Sequence, residues 1–182
     1  MSAIISETKR LILRRFEHTD VDDMTEVLEH PEVMEFSPSG PINRATVAKT
    51  IQNFETHWQT WGYGQCAVVH KTDKKVIGYC GLIRFSDIDG KAEDEIGYRL
   101  NRNYWGRGYA TEAAQSVQTY GFTIIGLRRM VSMIDPNNTR SIRVAEKIGL
   151  HYEKDVFIDG YVDRIYVIEQ QGPSDSNQTA AP

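Results

Sequence analysis

Gly106 and Gly108 stand between an apolar run ending at Leu100 and an Ala-rich stretch from Tyr109 to Ala114. A helix entered through glycines directly after a strand offers bare backbone N–H groups at the positive end of its dipole. Such an end binds phosphate. A nucleotide P-loop needs Gly-x4-Gly-Lys-Ser/Thr, and no Lys-Ser or Lys-Thr follows at that offset. A dinucleotide fingerprint needs a third glycine where Thr111 stands, in the first strand-helix unit of the chain, and this unit is not the first. A tight turn before an ordinary helix fits the two glycines equally well.

The surrounding pattern supplies the elements that must hold this loop. A first strand is predicted over 8–15. Thr19 or Asp20 can cap a helix reaching Glu29. A proline-bearing loop covers 30–41. Asn43 can cap a second helix to Trp61, with Val47, Ile51, Phe54 and Trp58 at helical spacing, and Gly62 and Gly64 close it. Strands over 65–70 and 76–85 flank a polar turn. Asp89-Gly90 is a hairpin signal before a strand over 92–100. A third helix follows over 108–125, then a strand over 130–134. A fourth helix runs from an Asn138 cap to Ile148, with Gly149 as its stop. A last hairpin pairs 151–158 with 162–169. Hairpins with a single β-α-β crossover give a mixed α+β sheet with helices on its faces, not an alternating βαβ array.

The bulk numbers narrow the class. The chain has 182 residues and a net charge of −4, enough length for one domain with a substantial core. It carries no Lys/Arg block that would mark a nucleic-acid surface. No apolar run is long enough for a signal peptide or a membrane span, so a cytoplasmic protein is expected. Cys66, Cys80 and the five histidines make no metal-binding spacing.

Trp105-Gly-Arg-Gly-Tyr-Ala110 resembles the pyrophosphate loop of the GNAT superfamily of N-acetyltransferases, whose pattern is Gln/Arg-x-x-Gly-x-Gly/Ala. Gly108 and Ala110 take the last two fixed places, and Trp105 stands where Gln or Arg is usual. Glu95-Ile-Gly-Tyr-Arg-Leu100 looks like the family's fourth strand. The run from Asn138 to Leu150, with Asn-x-x-Ser and Glu-Lys-x-Gly, looks like its second cofactor motif. Thr8 to Arg14 is similar to the opening of the branch that includes ribosomal-protein N-terminal acetyltransferases. The match runs in order over roughly residues 8 to 170.

The resemblance implies a mostly antiparallel seven-stranded sheet, splayed between its fourth and fifth strands and flanked by four helices. It implies one domain over residues 1–171; the small, polar composition of 172–182 reads as a disordered tail. Acetyl-CoA would be the cosubstrate, without a metal, and the acceptor an amine. Pantetheine would pair with the strand at Tyr98 and Leu100. The pyrophosphate would lie on Gly106, Arg107, Gly108, Tyr109, Ala110 and Thr111, with Asn138 and Ser141 from the second motif. Arg107 could add charge or merely be a solvated loop arginine.

Members of the family often place an acidic Tyr where this chain has Ala145, which leaves Ser141 to protonate the leaving thiolate, or simply to complete the first helical turn. Glu95 would act as base, or form an ion pair with Arg99. Phe36, Arg84 and Tyr161 are expected near the acceptor, and Trp58 in the core. The branch similarity favours a protein or peptide N-terminus as acceptor. A small-molecule amine is the alternative, and a non-catalytic acyl-CoA sensor is the reading that Trp105 and Ala145 leave open. The assembly would be a monomer or homodimer.

Overall fold

A computed structural model describes residues 3–158 and 160–170; the tail expected over 172–182 lies outside the described residues. The chain forms β1 (Ile4–Glu7), β2 (Leu11–Arg14), α1 (Val21–Leu28), α2 (Arg44–Trp61), β3 (Gln65–His70), β4 (Lys75–Ile88) and β5 (Lys91–Leu100). It continues through α3 (Tyr109–Tyr120), β6 (Arg129–Ile134), α4 (Thr139–Lys147), β7 (His151–Ile158) and β8 (Tyr161–Glu169). One sheet holds the described strands in the order β1-β2-β3-β4-β5-β6-β8-β7. Every pairing is antiparallel except β5 with β6. The fold is the expected mixed α/β architecture with four helices, but with eight strands rather than seven.

The additional strand is β1. Thr8 turns the chain there: its Oγ1 accepts from the Leu11 N–H at 3.0 Å, and its own N–H donates to the Leu11 carbonyl at 2.9 Å. Of the expected strand over 8–15 only Leu11–Arg14 is strand, and it is the inner arm of a hairpin with Ile4–Glu7. The outer arm is a short, half-exposed edge with no clean alternation to read. Because of β1, the family's fourth and fifth strands are β5 and β6 here.

Several local signals act as their chemistry predicts. Asn43 and Asn138 cap α2 and α4, accepting from the N–H groups of Thr46 at 3.0 Å and Ser141 at 3.1 Å. Asp89 and Gly90 both take positive φ in the β4–β5 turn. Asp20 does not cap α1 by its side chain. Its carboxylate instead receives both terminal nitrogens of Arg14, each at 2.7 Å, and the Glu17 N–H. The third helix also ends earlier than expected: after Tyr120 the backbone loosens into a π turn over Gly121–Ile125.

Two cores sandwich the sheet. One joins Leu82, Ile96 and Leu100 to Ala113, Ala114 and Val117 of α3 and to Ala145 and Ile148 of α4. The other packs Ala67 and Val76 against Met24 and Val27 of α1 and Val47 and Ile51 of α2. Trp58 is buried, as expected for a core residue. The β5–β6 junction thus opens toward α3 and α4 on one face and toward α1 and α2 on the other.

Candidate active site

The site begins where β5 and β6 part. Their ladder has a single registered pair, Glu95 with Val131, while β5 stays paired with β4 up to Leu100. Beyond Ile96 the two strands diverge around a cleft of about 500 Å³. Alternation aims the backbone groups of Ile96, Tyr98 and Leu100 at this gap. The Ile96 carbonyl accepts from Ser132 Oγ at 2.9 Å, and the Leu100 carbonyl from Trp105 Nε1 at 2.8 Å. Tyr98 is left between them as the strand position facing the gap with its backbone free of those side chains. Its phenol donates to the Ser141 carbonyl at 3.0 Å and ties β5 to α4.

On the α3 side, Gly106 and Gly108 adopt φ of +74° and +79°. L side chains rarely take this conformation. Gly108 is the N-cap of α3, and no side chain caps the helix there. The first-turn N–H groups of Tyr109, Ala110 and Thr111 are therefore free for an anion. Arg10 fixes the loop from behind. Its guanidinium donates to the Arg107 carbonyl at 2.9 Å, pairs with Glu112 at 2.6 Å, and lies 4.2 Å from the centre of the Tyr109 ring. Partial burial pushes the Glu112 pKa up, but hydrogen bonds from Thr8 and Arg10 outweigh it and hold the carboxylate below its ordinary value. The Tyr109 hydroxyl meets His70 Nε2 at 2.9 Å, and His70 in turn meets Asp73 at 3.0 Å.

The other half of the cleft is acidic. Glu95 Oε1 accepts from the Met133 N–H at 3.1 Å. Burial raises the Glu95 pKa to about 7; the Met133 hydrogen bond and Arg99 pull it down, and Asp163 pushes it up. Asp163 is itself raised, by burial and then by Asp135. All three carboxylates line the cleft with Gln65, Tyr79 and Arg99. A carboxyl titrating near neutral pH in a cleft is matched to general base work.

The structure gathers most of the expected site residues. Glu95, Tyr98, Leu100, Gly106, Gly108, Tyr109, Ala110, Thr111, Asn138, Ser141 and Phe36 all line the cleft. Arg107 is exposed at its rim and offers the loop its backbone. Arg84 is not in the cleft. Its cross-strand partner is Asp94, and Ile83 and Glu95 form the adjacent pair, so alternation turns Arg84 to the opposite face. There it pairs with Asp94 at 2.6 Å. Tyr161 opens β8 at the solvent-exposed hairpin, also outside the cleft; two residues along the strand, Asp163 reaches it.

Sequence reasoning missed Asp163 and Gln65, which topology alone brings to the cleft, and did not single out Asp135, Arg140 and Lys147, which lie beside or within the Asn138–Leu150 run. Trp105 has a part that the Gln/Arg pattern does not suggest. It joins the strand end to the loop and sits between Arg102 and Arg140, 5.0 Å and 4.6 Å from its ring centre. Arg140 also reaches Glu35 at 2.9 Å, spanning the mouth from α4 to the loop after α1.

An uncapped helix end, a strand with open amides and Arg143 and Lys147 beside them suit an extended, phosphate-bearing acyl carrier. The comparisons agree. The acetyltransferase (GNAT) domain matches residues 10–151, so the chain belongs to the GNAT family. It is an N-acetyltransferase with acetyl-CoA as cosubstrate. An uncharacterized N-acetyltransferase, p20 of Bacillus licheniformis, is 33% identical over 147 residues, covering 80% of this chain and 82% of that one. The spermidine N(1)-acetyltransferase of Escherichia coli strain K12 is 23% identical over 154 residues, covering 85% and 80%. A solved structure of the RimL ribosomal α-N-protein acetyltransferase in complex with coenzyme A superposes with a TM-score of 0.74 at 18% identity, covering 92% and 98%; at that identity the likeness is one of fold.

Proposed function

We propose that the chain acetylates the α-amine of a protein or peptide N-terminus. The observation that carries this reading is Glu95, a carboxyl with a pKa near 7 set where β5 and β6 part. Acetyl-CoA supplies the thioester whose acetyl carbon the amine attacks. Glu95 takes the ammonium proton through a water. Ser141, on the first turn of α4 and lining the cleft, relays a proton to the sulfur as the C–S bond breaks, its Oγ regaining a proton from water in the same step. The N–H groups of Tyr109 to Thr111 hold the pyrophosphate, each contact contributing about 0.3–1 kcal/mol when exposed. Orientation of the two reactants supplies much of the remaining rate, on the order of 7–11 kcal/mol at best.

The similarity of residues 8–14 to the ribosomal-protein branch supports an N-terminal acceptor. A second reading, a polyamine, is favoured by the carboxylates of Glu95, Asp135 and Asp163 around one cleft. Incubation with acetyl-CoA and a panel of peptides, spermidine and amino acids separates them. Thiol release with peptides, and acetyl mapped to the α-amine by mass spectrometry, is the expected result. Turnover of spermidine with no peptide acetylation would reject the N-terminal acceptor.

A further inference from the structure

We infer that the Gln65 carboxamide reads the polar group adjoining the acceptor amine and so selects a peptide N-terminus over an alkyl polyamine; this rests on the N-terminal reading above. Gln65 opens β3 and is only 1% exposed, yet its Oε1 has no hydrogen-bond partner among the described residues. Its own backbone carbonyl accepts from Trp58 Nε1 at 2.9 Å, which fixes the residue from α2. An unpaired buried amide oxygen destabilises the free protein and calls for an explanation, and a partner that arrives with the substrate is one.

The sheet aims this side chain at the acceptor. Gln65 pairs with Gly81, and Gly81 with Gly97, so three strands carry only one side chain along that row. The carboxamide reaches across to Gly97. A Cβ built there would lie 2.8 Å from Gln65 Nε2 and 3.7 Å from Glu95 Oε2. The carboxamide therefore fills the space over Gly97 beside the Glu95 carboxylate, at the wall of the cleft both residues line.

An amine that gives its proton toward Glu95 brings its next few atoms against Gln65. In a peptide these atoms carry the first amide, or a Ser or Thr hydroxyl, which can pair with a carboxamide. In a polyamine they are methylenes and leave it as unpaired as before. Asp135 and Asp163 attract both cations, so charge does not separate the two acceptors. Sites built around a hydrogen bond discriminate strongly against ligands that lack it.

The test compares kcat/KM of wild type and Gln65→Met on a short peptide amide, on propylamine and on spermidine, with thermal midpoints for both proteins. Gln65→Met is expected to lower the peptide-to-propylamine ratio about tenfold or more. Its midpoint should not fall, because no protein hydrogen bond is lost at Oε1. Peptide turnover with an unmoved ratio would overturn the Gln65 assignment alone, and so would a lowered midpoint with equal losses on all three amines. A wild-type enzyme that turns over spermidine and no peptide would overturn the N-terminal reading itself. Gln65→Leu provides a second apolar replacement should the Met variant be poorly folded.

Discussion

The two sides of the β5–β6 opening are built on opposite terms. Toward α3 the groups on offer are backbone N–H, and what supports them is paired: Arg10 holds the Arg107 carbonyl, Glu112 and the Tyr109 ring together. Toward α1 and α2 the groups are side chains, and they are left incomplete: Glu95 is raised, Asp163 is raised, and Gln65 Oε1 has no partner among the described residues. The first side is finished before anything binds, as suits a ligand common to every turnover. The second holds groups whose best partners come with the acceptor, which is how a buried polar site acquires selectivity.

The sharpest way to break this contrast is Glu95→Gln. Activity should fall about 10²–10⁴-fold in kcat/KM for the acceptor, with CoA affinity by calorimetry unaltered. A parallel loss of CoA affinity would merge the two sides into one. The same variant should melt higher than wild type at pH 8. The raised Glu95 pKa means that its contribution to stability is present below its ordinary value of 4.5 and lost as pH rises through about 7.

Gly108→Val addresses the other side. At φ +79° any L side chain is strained, whereas the added Cβ itself would meet only Arg10 Nη2, at 3.6 Å. The damage comes from backbone conformation and not from lost space. The free loop relaxes out of the strained turn, and restoring it on binding costs about 1–3 kcal/mol, which weakens CoA about 5- to 150-fold. Unchanged affinity would remove the loop from the site. Ser141→Ala should lower kcat by about 10²-fold, the low end for a positioned proton donor, with CoA affinity retained; an unaltered kcat would take Ser141 out of the proton path. Arg10→Ala, which loosens the loop without touching its N–H groups, should weaken CoA several-fold, on the order of 1 kcal/mol. A result larger than that of Gly108→Val would make the clamp, and not the glycines, the main determinant.

The same contrast explains what could be read from the chain before its structure. Gly106, Gly108 and the Asn138 cap declare themselves because a left-handed turn and a helix start have local chemical requirements. The hairpins and Asp89-Gly90 are local in the same sense. Asp163 and Gln65 are far apart in sequence and meet Glu95 only through the strand order, so no spacing betrays them. Arg84 shows the converse. It lies one residue from the cleft-lining Ile83, and the period of two that makes strands legible also sends it to the wrong face. β1 was hidden because a half-exposed edge needs little hydrophobic pattern.

The most direct measurement of the central claim is kcat/KM against pH, with a peptide acceptor, for wild type and Glu95→Gln. The account predicts a rising limb that bends near pH 7 in the wild type, beside the acceptor's own ammonium ionisation at about pH 8; only the latter remains in the variant, with CoA affinity equal in both. A wild-type profile without that bend, or one that Glu95→Gln retains, would contradict it.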